Sequence, residues 1–390
     1  MLRFEIVPYD VLFFGSGKPF SIGDNAISIF PPFSNTFASA ICSKIYHQLN
    51  IDDISDILKA VYGPFFVKNN KLLLPKPSNI YSARKSKETK EVFIAELTDS
   101  KEFNLFNFNN TNKPEFIKQL YLYKGKEEVE PFNAFIYPQA LNKWLNNSKE
   151  FNKDDFILYN EIFEYESRIG IKIDDSTNTV KEEDSLYRIN FLRLKEDIKI
   201  LFWVEFEEDN LKQKLNDKIQ NQNVIDFLYN FFNEKPRVLR LGGEMKNIKY
   251  EIKKDKFSSY LTSKLKIKDN ITVNKEETIE VLFLTNGVFE FNNNDEKSPI
   301  NGFEIISACF DNYINMGIRS RNKGTKVKRA ILPGSILSLK ANENKQLTTI
   351  SFIIKQKNNN FYSLISPKDI NKVNWEFIGS NLVLIKKINN

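Results

Sequence analysis

The order of strand-like and helix-like segments over the first 255 residues constrains the fold of this chain more than any other feature. Leu2–Val7 alternates like a strand. After it, Phe37, Ile41, Ile45 and Leu49 recur every four residues, which predicts an amphipathic helix with one buried stripe. Two strands, a second helix and a further strand follow. The resulting β-α-β-β-α-β order predicts a ferredoxin-like fold.

The later elements of this first domain have recognisable boundaries. A turn between two alternating segments predicts a hairpin, and Pro236 ends the second helix. The predicted segments are the hairpin strands Glu161–Ile173 and Leu186–Leu194, the strand Ile198–Phe206, a long helix from Leu211 to Phe232, and the strand Lys246–Ile252. Residues 84–157 have few clean periods. We interpret them as a large insertion, with a short helix at Gln139–Leu145.

A second domain is predicted over residues 256–390, after a first domain that covers residues 1–255. Its predicted elements are the strands Glu280–Leu284, Ala330–Leu339, Leu347–Ile354, Phe361–Ile365 and Leu382–Ile385, and a short helix at Phe303–Phe310. Asp255–Asn274 is interpreted as the connection. We therefore expect an α+β protein with two ferredoxin-like domains, of which the second is richer in strands.

Composition excludes several classes of protein. No apolar run approaches the roughly 18 residues that cross a membrane, and Glu5 interrupts the first apolar run, unlike in a signal peptide. A cytoplasmic protein without a membrane partner is expected. Cys42 and Cys309 lie far apart and His47 is the only histidine. We therefore expect two buried thiols, no metal site, no redox pair and no cofactor.

Two glycine motifs resemble catalytic phosphate-binding sequences but lack essential members. The segment Gly15–Lys18 is followed by Pro19, where a P-loop needs a hydroxyl residue and the start of a helix. Gly242 and Gly243 precede Glu244, without the second carboxylate that two-metal catalysis needs. The glycine pair can still bring backbone amides close to a phosphate, because glycine has no Cβ and tolerates positive φ. A plain turn is the alternative.

The clearest charge feature is a segment without Asp or Glu from Asn312 to Asn342. Gly317 and Gly324 predict a flexible loop that carries its cations, and contact with a phosphate backbone is the simplest use of one sign of charge. A protein-docking or inert loop is the alternative. The candidate RNA contacts are Gly242, Gly243, Lys246, Arg319, Arg321, Lys323, Lys326, Lys328 and Arg329, followed by Lys18 and Arg168. Arg168 can instead pair with Glu166 or Glu164.

A catalytic role would rest on His47. Acid–base cleavage of RNA commonly uses an imidazole near neutral pH. His47 falls off the apolar stripe of its helix, which favours a solvated position. We therefore assign no catalytic residue, and keep an RNA endonuclease with His47 as general acid or base as the alternative.

Several short motifs occur in an order and at a spacing that a known family shares. They are Pro8-Tyr9-Asp10-Val11-Leu12-Phe13-Phe14, Gly17-Lys18-Pro19-Phe20, Phe30-Pro31-Pro32, Tyr62-Gly63-Pro64, Leu74-Pro75-Lys76-Pro77, Glu166-Ser167-Arg168-Ile169-Gly170-Ile171, Leu192-Arg193-Leu194, Arg240-Leu241-Gly242-Gly243-Glu244 and Ala330-Ile331-Leu332-Pro333-Gly334-Ser335. Together they resemble the Cmr subunit three family of the RAMP superfamily of CRISPR-associated proteins. One departure is Ser39-Ala40-Ile41-Cys42, where the family usually has Gly-Ala followed by an arginine.

The resemblance implies a pair of ferredoxin-like domains that bind the 5′ repeat-derived handle of the CRISPR guide RNA (crRNA). It further implies contact with the large polymerase-like subunit and with the first backbone RAMP subunit of a type III-B (Cmr) effector complex in antiviral defence. Members of this kind are not thought to cut RNA, so a non-catalytic subunit is expected. The main alternative is a RAMP endoribonuclease that processes precursor crRNA, with His47 as general acid or base. The equivalent subunit of another type III complex and a scaffold without RNA contact are further alternatives.

Overall fold

The computed structural model describes residues 1–388 apart from residues 17–24, 52–53, 55, 85–90, 100–118, 172–175, 178, 180–185, 220–221, 290–299, 321–323, 356–360 and 371–376. For residues 99, 216–217, 318–320 and 324–326 it describes the backbone alone. The helices are α1 Ser34–Leu49, α2 Pro138–Leu145, α3 Glu208–Lys214, α4 Asn216–Ile219, α5 Val224–Asn233 and α6 Phe257–Leu265. None of these described helices is both long and apolar enough to cross a membrane.

The first half of the chain is built on one large antiparallel sheet. The strands of this half of the chain are β1 Leu2–Pro8, β2 Asn25–Ile27, β3 Leu58–Lys68, β4 Lys71–Pro75, β5 Ile80–Ala83, β6 Val92–Ile94, β7 Glu96–Asp99, β8 Gln119–Leu122, β9 Val129–Glu130, β10 Ala134–Ile136, β11 Phe156–Leu158, β12 Phe163–Ile171, β13 Leu186–Leu194, β14 Ile198–Phe206, β15 Val238–Leu241 and β16 Lys246–Lys254. The sheet has the order β11-β10-β4-β3-β14-β1-β16-β15. Phe4 of β1 therefore lies between Phe202 of β14 and Ile252 of β16.

Helix α1 packs on this sheet through the apolar stripe that its sequence predicts. The four residues of the stripe are all buried: Phe37, Ile41, Ile45 and Leu49. The helix begins after Phe33 without a side-chain cap. The Ser34 hydroxyl instead contacts the carbonyl oxygens of Gly63 and Gly379, at 2.5 and 3.0 Å, which ties the start of α1 to both halves of the chain.

The prediction of one continuous helix from Leu211 to Phe232 is wrong, because three shorter helices, α3, α4 and α5, occupy this range. The spacing of apolar residues widens to five between Ile219 and Val224. At that point the Asn223 side chain accepts hydrogen bonds from the amides of Ile225 and Asp226 and caps a new helix. The three helices still follow β14 and lead to β15, the partner of β16.

The insertion adds strands to the large sheet as well as surface elements. Its strands β10 and β11 continue the sheet beyond β4. Helix α2 confirms the helix predicted at Gln139–Leu145, and its Trp144 is fully buried. Strands β5, β6 and β9 form a small sheet, and β7 pairs with β8.

The hairpin predicted before β14 is confirmed. Strands β12 and β13 pair antiparallel along their whole length, and β2 joins β13 in parallel. Most of the turn between them lies outside the described residues. The inner face of this hairpin packs against Val11 and Phe13, and the Phe13 and Phe191 rings lie 5.8 Å apart.

The second half is built on another antiparallel sheet. The strands of this half of the chain are β17 Asn270–Val273, β18 Thr278–Phe283, β19 Gly287–Val288, β20 Phe303–Cys309, β21 Tyr313–Ser320, β22 Gly324–Ile331, β23 Ile336–Ala341, β24 Lys345–Thr348, β25 Ile350–Lys355, β26 Tyr362–Ile365 and β27 Leu382–Lys387. Six of them form a sheet in the order β20-β23-β18-β27-β25-β26, while β19, β22 and β21 form a second one. The described residues are thus an α+β structure rich in strands.

Three predictions for the second half are wrong. The predicted helix Phe303–Phe310 is strand β20, because pairing with β23 overrides the local pattern. The strand predicted over Ala330–Leu339 is divided into β22 and β23, since Gly334 has a φ of +96° and turns the chain. The connection Asp255–Asn274 contains α6 and β17. The buried Phe257, Leu261 and Leu265 of α6 recur every four residues, a signal that the sequence carried.

The two halves share one core cluster. Tyr62 from β3 and Trp203 from β14 pack against Phe257 of α6, and the Tyr62 ring also lies 5.3 Å from Phe352 of β25. A hydrogen bond also joins the halves, since the Ser78 amide, directly after the Leu74–Pro77 motif, donates to the Gly334 carbonyl at 2.8 Å. This junction holds the second half against the first.

Candidate nucleic-acid interface

A groove of about 990 Å³ runs between α1, β15 and the turn that joins β15 to β16. Its lining residues are Phe14, Gly15, Phe33, Asn35, Thr36, Ser39, Ala40, Ser43, Lys44, His47, Gln48, Val238, Leu239, Arg240, Gly242, Gly243, Met245, Asn247 and Gly317. None of these described lining residues has a carboxylate, although the chain has 50 Asp and Glu among 390 residues. The groove therefore suits an anionic ligand with polar groups.

Helix α1 supplies the polar wall of the groove. Asn35, Ser39, Ser43 and His47 recur every four residues and lie on one face of the helix, two positions out of phase with the buried stripe. The Ser39 hydroxyl donates to the Asn35 carbonyl at 2.9 Å. This polar stripe offers hydroxyl, amide and imidazole groups, which suit hydrogen bonds to a neutral ligand group.

Lys44 and Arg240 are the cations among the lining residues. The Lys44 ammonium donates to the Val238 carbonyl at 3.4 Å and lies 5.7 Å from the centroid of the Tyr250 ring. Burial lowers the pKa of the Lys44 amine, and Glu234 opposes that shift. Arg240 is exposed on β15.

The glycine pair is fixed by close packing against the segment that follows β1. The Gly243 amide donates to the Phe13 carbonyl at 2.8 Å. A Cβ on Gly242 would lie 2.3 Å from the same carbonyl oxygen, and Gly242 has a φ of +74°. The approach of two backbone segments therefore explains these glycines. The Gly243 amide is bound to protein and does not point to a ligand.

Lys246 points toward the β12–β13 hairpin, and its side chain does not line the groove. Its ammonium lies 5.0 Å from the centroid of the Phe191 ring. Met245 and Asn247, on either side of it, do line the groove. The extended backbone at the start of β16 directs the Lys246 and Asn247 side chains to opposite faces, so Lys246 is a weaker candidate for RNA contact than Arg240.

Arg168 lies in a network of four charges on the hairpin. It forms ion pairs with Asp10 and Glu166 at 2.8 and 2.7 Å, and Arg193 pairs with the same two carboxylates. Hydrogen bonds lower the pKa of both carboxyl groups, mainly from Arg168 for Asp10 and from Arg193 for Glu166. Pairing with Glu166, one of the alternatives predicted for Arg168, is confirmed.

The prediction of a flexible basic loop between Gly317 and Gly324 is wrong, because the described residues on both sides form paired strands. They form a ribbon in which β21 pairs with β22 from Tyr313 opposite Ile331 to Ser320 opposite Gly324. Strand pairing overrides the two glycines, because β-branched residues in both strands favour an extended backbone. Three of its alternate positions, Ile314, Met316 and Ala330, belong to a small core with Phe33 at the start of α1.

The cations of this basic ribbon are described to different extents. Lys328 lies 4.1 Å from the centroid of the Phe377 ring, and Arg329 lies 5.0 Å from that of Tyr313. For Arg319 and Lys326 the backbone alone is described, in register positions close to the end of the ribbon. Arg321, Lys323 and Lys18 lie outside the described residues.

Of the predicted RNA contacts that the structure describes, only Gly242 and Gly243 line the groove, although the basic ribbon borders it. Gly242 and Gly243 line it from the β15–β16 turn, and Gly317 lines it from the basic ribbon. Sequence reasoning did not assign Arg240 or the polar stripe of α1 as contacts, although the four-residue repeat of that stripe was readable. Cys42 and Cys309 are buried free thiols, as predicted. Among the described residues, no group of three His, Cys, Asp or Glu is placed to hold a metal ion.

Comparison with known proteins places this chain among the CRISPR-associated proteins. The sequence profile of one family, described as CRISPR-associated protein (Cas_Cmr3), matches residues 4–387. Because this match covers nearly the whole chain, the chain belongs to the Cmr3 family. The resemblance found in the sequence motifs is confirmed.

Individual relatives are distant. The CRISPR system CMR subunit Cmr3 of Saccharolobus solfataricus is 22% identical over 394 residues, which span 98% of this chain and 96% of that protein. A chain of the type III-B Cmr-beta complex, solved with cognate target RNA and AMPPnP, has a TM-score of 0.47 and 19% identity, and 86% of each chain is covered. A chain of the Csm3-Csm4 subcomplex of a type III-A complex has a TM-score of 0.37 and 14% identity, covering 89% and 98%.

Proposed function

We propose that this chain is a non-catalytic subunit of a cytoplasmic type III-B CRISPR effector complex and binds the 5′ repeat-derived handle of the crRNA. It links the large polymerase-like subunit to the backbone RAMP filament. Membership of the Cmr3 family supports this assembly. The observation that carries the RNA-binding part is the groove without carboxylates among its described lining residues, which extends from Gly242 and Gly243 to the basic ribbon. An anionic phosphate backbone binds more favourably to a surface that carries cations and lacks carboxylates.

Two ferredoxin-like domains, meeting near residue 255, are part of this proposal. Numbered by their order in the chain, β1, β3, β14 and β16 lie in the sheet as 2-3-1-4. The strands β18, β20, β23 and β27 have the same antiparallel order. This repetition supports two copies of one topology. Within its described residues, the second copy has no α-helix between these four strands, which agrees with its predicted richness in strands.

Removing two cations from the basic ribbon is expected to weaken RNA binding and to flatten its salt dependence. In the variant Arg319→Ala/Lys326→Ala, the slope of log affinity against log salt should fall by about 1.4, because each phosphate contact with a single strand contributes about 0.7. Fluorescence anisotropy of a labelled repeat-derived RNA, titrated at several salt concentrations, measures this slope.

A matched control separates local contact from overall charge. Lys153 and Lys195 are exposed and do not line the groove, so Lys153→Ala/Lys195→Ala removes the same charge elsewhere. We expect this control to keep nearly the whole slope. Equal losses in the two double variants would mean that net charge, and not the basic ribbon, governs RNA binding.

The assembly is tested by isolating the tagged full-length chain from cells that express the complete complex. The copurifying RNAs should share one repeat-derived 5′ end, and the large polymerase-like subunit should accompany them. A different set of partners would assign the chain to another type III complex. RNAs without a common 5′ end would contradict handle binding.

An RNA endonuclease is the second candidate function, because His47 lines the same groove. The His47 ring contacts the Tyr46 ring edge-on, with 4.9 Å between their centroids. We expect the wild-type chain to leave repeat RNA intact when binding is saturated, as judged by denaturing gel electrophoresis. If His47 were the general acid or base, wild type would cleave, and His47→Gln would lower the rate by about 10²–10⁴. That result would replace the non-catalytic proposal.

A further inference from the structure

The β15–β16 turn has an unfavourable backbone conformation and places the apolar side chain of Met245 in the groove. Glu244 and Met245 are consecutive residues with φ values of +60° and +45°. Residues with a Cβ rarely adopt this left-handed conformation, and glycine or asparagine would occupy it more easily. Met245 nevertheless lines the groove with 67% of its surface exposed.

The turn is fixed at both ends, which explains how this conformation persists. On one side, the Gly243 amide is bound to the Phe13 carbonyl. On the other, Lys246 is paired with Leu241 at the start of β16. The two residues between these points must reverse the chain within a short distance. Such conformations persist where the surroundings impose them, and they occur often at ligand-binding positions.

The chemistry of the groove differs between its walls. Met245 offers a flexible thioether to an apolar surface. The polar stripe of α1 offers Asn35, Ser39 and Ser43 as hydrogen-bonding groups, and Arg240 supplies positive charge. An RNA nucleotide offers a partner for each of these groups. Its base has an apolar face and a polar edge, its ribose has a 2′-hydroxyl, and its phosphate is anionic.

We infer that Met245 packs on the face of an unstacked base of the bound RNA, and that the polar stripe of α1 contacts the edge of that base or its ribose. Apolar side chains hold extruded bases in this way. The inference rests on the proposed RNA-binding function of the groove and goes beyond it, because it assigns the groove to bases and not to the phosphate chain alone.

The test uses the full chain with two probes, a single-stranded uridine oligomer and an abasic ribose-phosphate oligomer of equal length and charge. The variant Met245→Asn removes the apolar contact and accepts the left-handed conformation. Affinity for the uridine oligomer should fall about fivefold or more, as expected when one base contact is lost. Affinity for the abasic oligomer should stay at the wild-type value.

Glu244→Asp is the matched control, because it eases the same kind of backbone strain at the neighbouring position and keeps the charge. It should bind both oligomers like wild type. Met245→Gly gives a second variant if asparagine lowers the unfolding midpoint. If Met245→Asn and Met245→Gly keep the wild-type preference for the uridine oligomer, the inference is overturned while RNA binding stands. If wild type binds neither oligomer, the proposed function itself fails and the inference with it.

Discussion

Replacement of Lys386 by methionine is expected to lower the free energy of unfolding by about 3–5 kcal/mol. The Lys386 ammonium donates to one oxygen of Glu280 at 2.6 Å, and the Tyr121 hydroxyl donates to the other at 2.6 Å. Glu280 and Lys386 are only 3% and 6% exposed. Methionine fills a similar volume, so the loss comes from a carboxylate left buried without its cation. Urea unfolding followed by circular dichroism measures the change.

Two comparisons isolate the buried charge as the cause. Lys340 pairs with Glu276 at the surface, where the side chains are 38% and 61% exposed, and Lys340→Met should cost no more than about 1 kcal/mol. The double variant Glu280→Gln/Lys386→Met should be more stable than Lys386→Met alone, because it leaves no uncompensated charge. Equal losses in Lys386→Met and Lys340→Met would contradict a special role for the buried pair.

The buried pair of Glu280 and Lys386 also contacts residues that the sequence analysis assigned to the other domain. Tyr121 and Trp144 belong to the insertion, and the Lys386 ammonium lies 4.2 Å from the centroid of the Trp144 ring. Glu280 and Lys386 lie on the neighbouring strands β18 and β27. The predicted strands near 280 and 382 were in the right places. Their pairing could not be predicted, because it depends on the order of strands in a sheet that spans a hundred residues.

Local patterns were the most reliable guide to the fold. The stripe of α1, the hairpin strand Leu186–Leu194 and the strand Ile198–Phe206 were predicted correctly because the period of an element is written within the element itself. Long-range pairing decided the element that was assigned to the wrong type. The segment Phe303–Cys309 has apolar positions that fit a helical turn, and only its neighbour β23 makes it a strand.

The candidate site was predictable in composition but not in form. The segment without carboxylates drew attention to the cations of the basic ribbon, yet its β-structure followed from partners elsewhere in the sequence. For Lys246, strand alternation from the glycine turn was available as an argument. It places Lys246 and Asn247 on opposite faces, and of these two only Asn247 lines the groove. The polar stripe of α1 could be assigned to a groove only because the structure places β15 beside α1.

Substitution of Gly242 by alanine is expected to lower the free energy of unfolding by about 2–4 kcal/mol and to weaken RNA binding. Gly242 has φ +74° and ψ −168°, a region that is essentially restricted to glycine. The added Cβ would also meet the Phe13 carbonyl oxygen at 2.3 Å. This oxygen cannot withdraw easily, because it accepts the hydrogen bond from Gly243. The turn must shift, and Met245 shifts with it. Urea unfolding and RNA anisotropy measure the two effects.

Gly170→Ala is the matched control for this substitution. Its Cβ would meet the Tyr187 ring at 2.2 Å, but that ring is the end of a flexible side chain, and the backbone of Gly170 is not left-handed. Alanine is favoured over glycine within a strand, so we expect a change of less than about 1 kcal/mol. Equal stability of the two variants would contradict a packing role for Gly242. If Gly242→Ala stayed as stable as wild type and still lost RNA, the glycine would serve the ligand through its backbone, as the sequence first suggested.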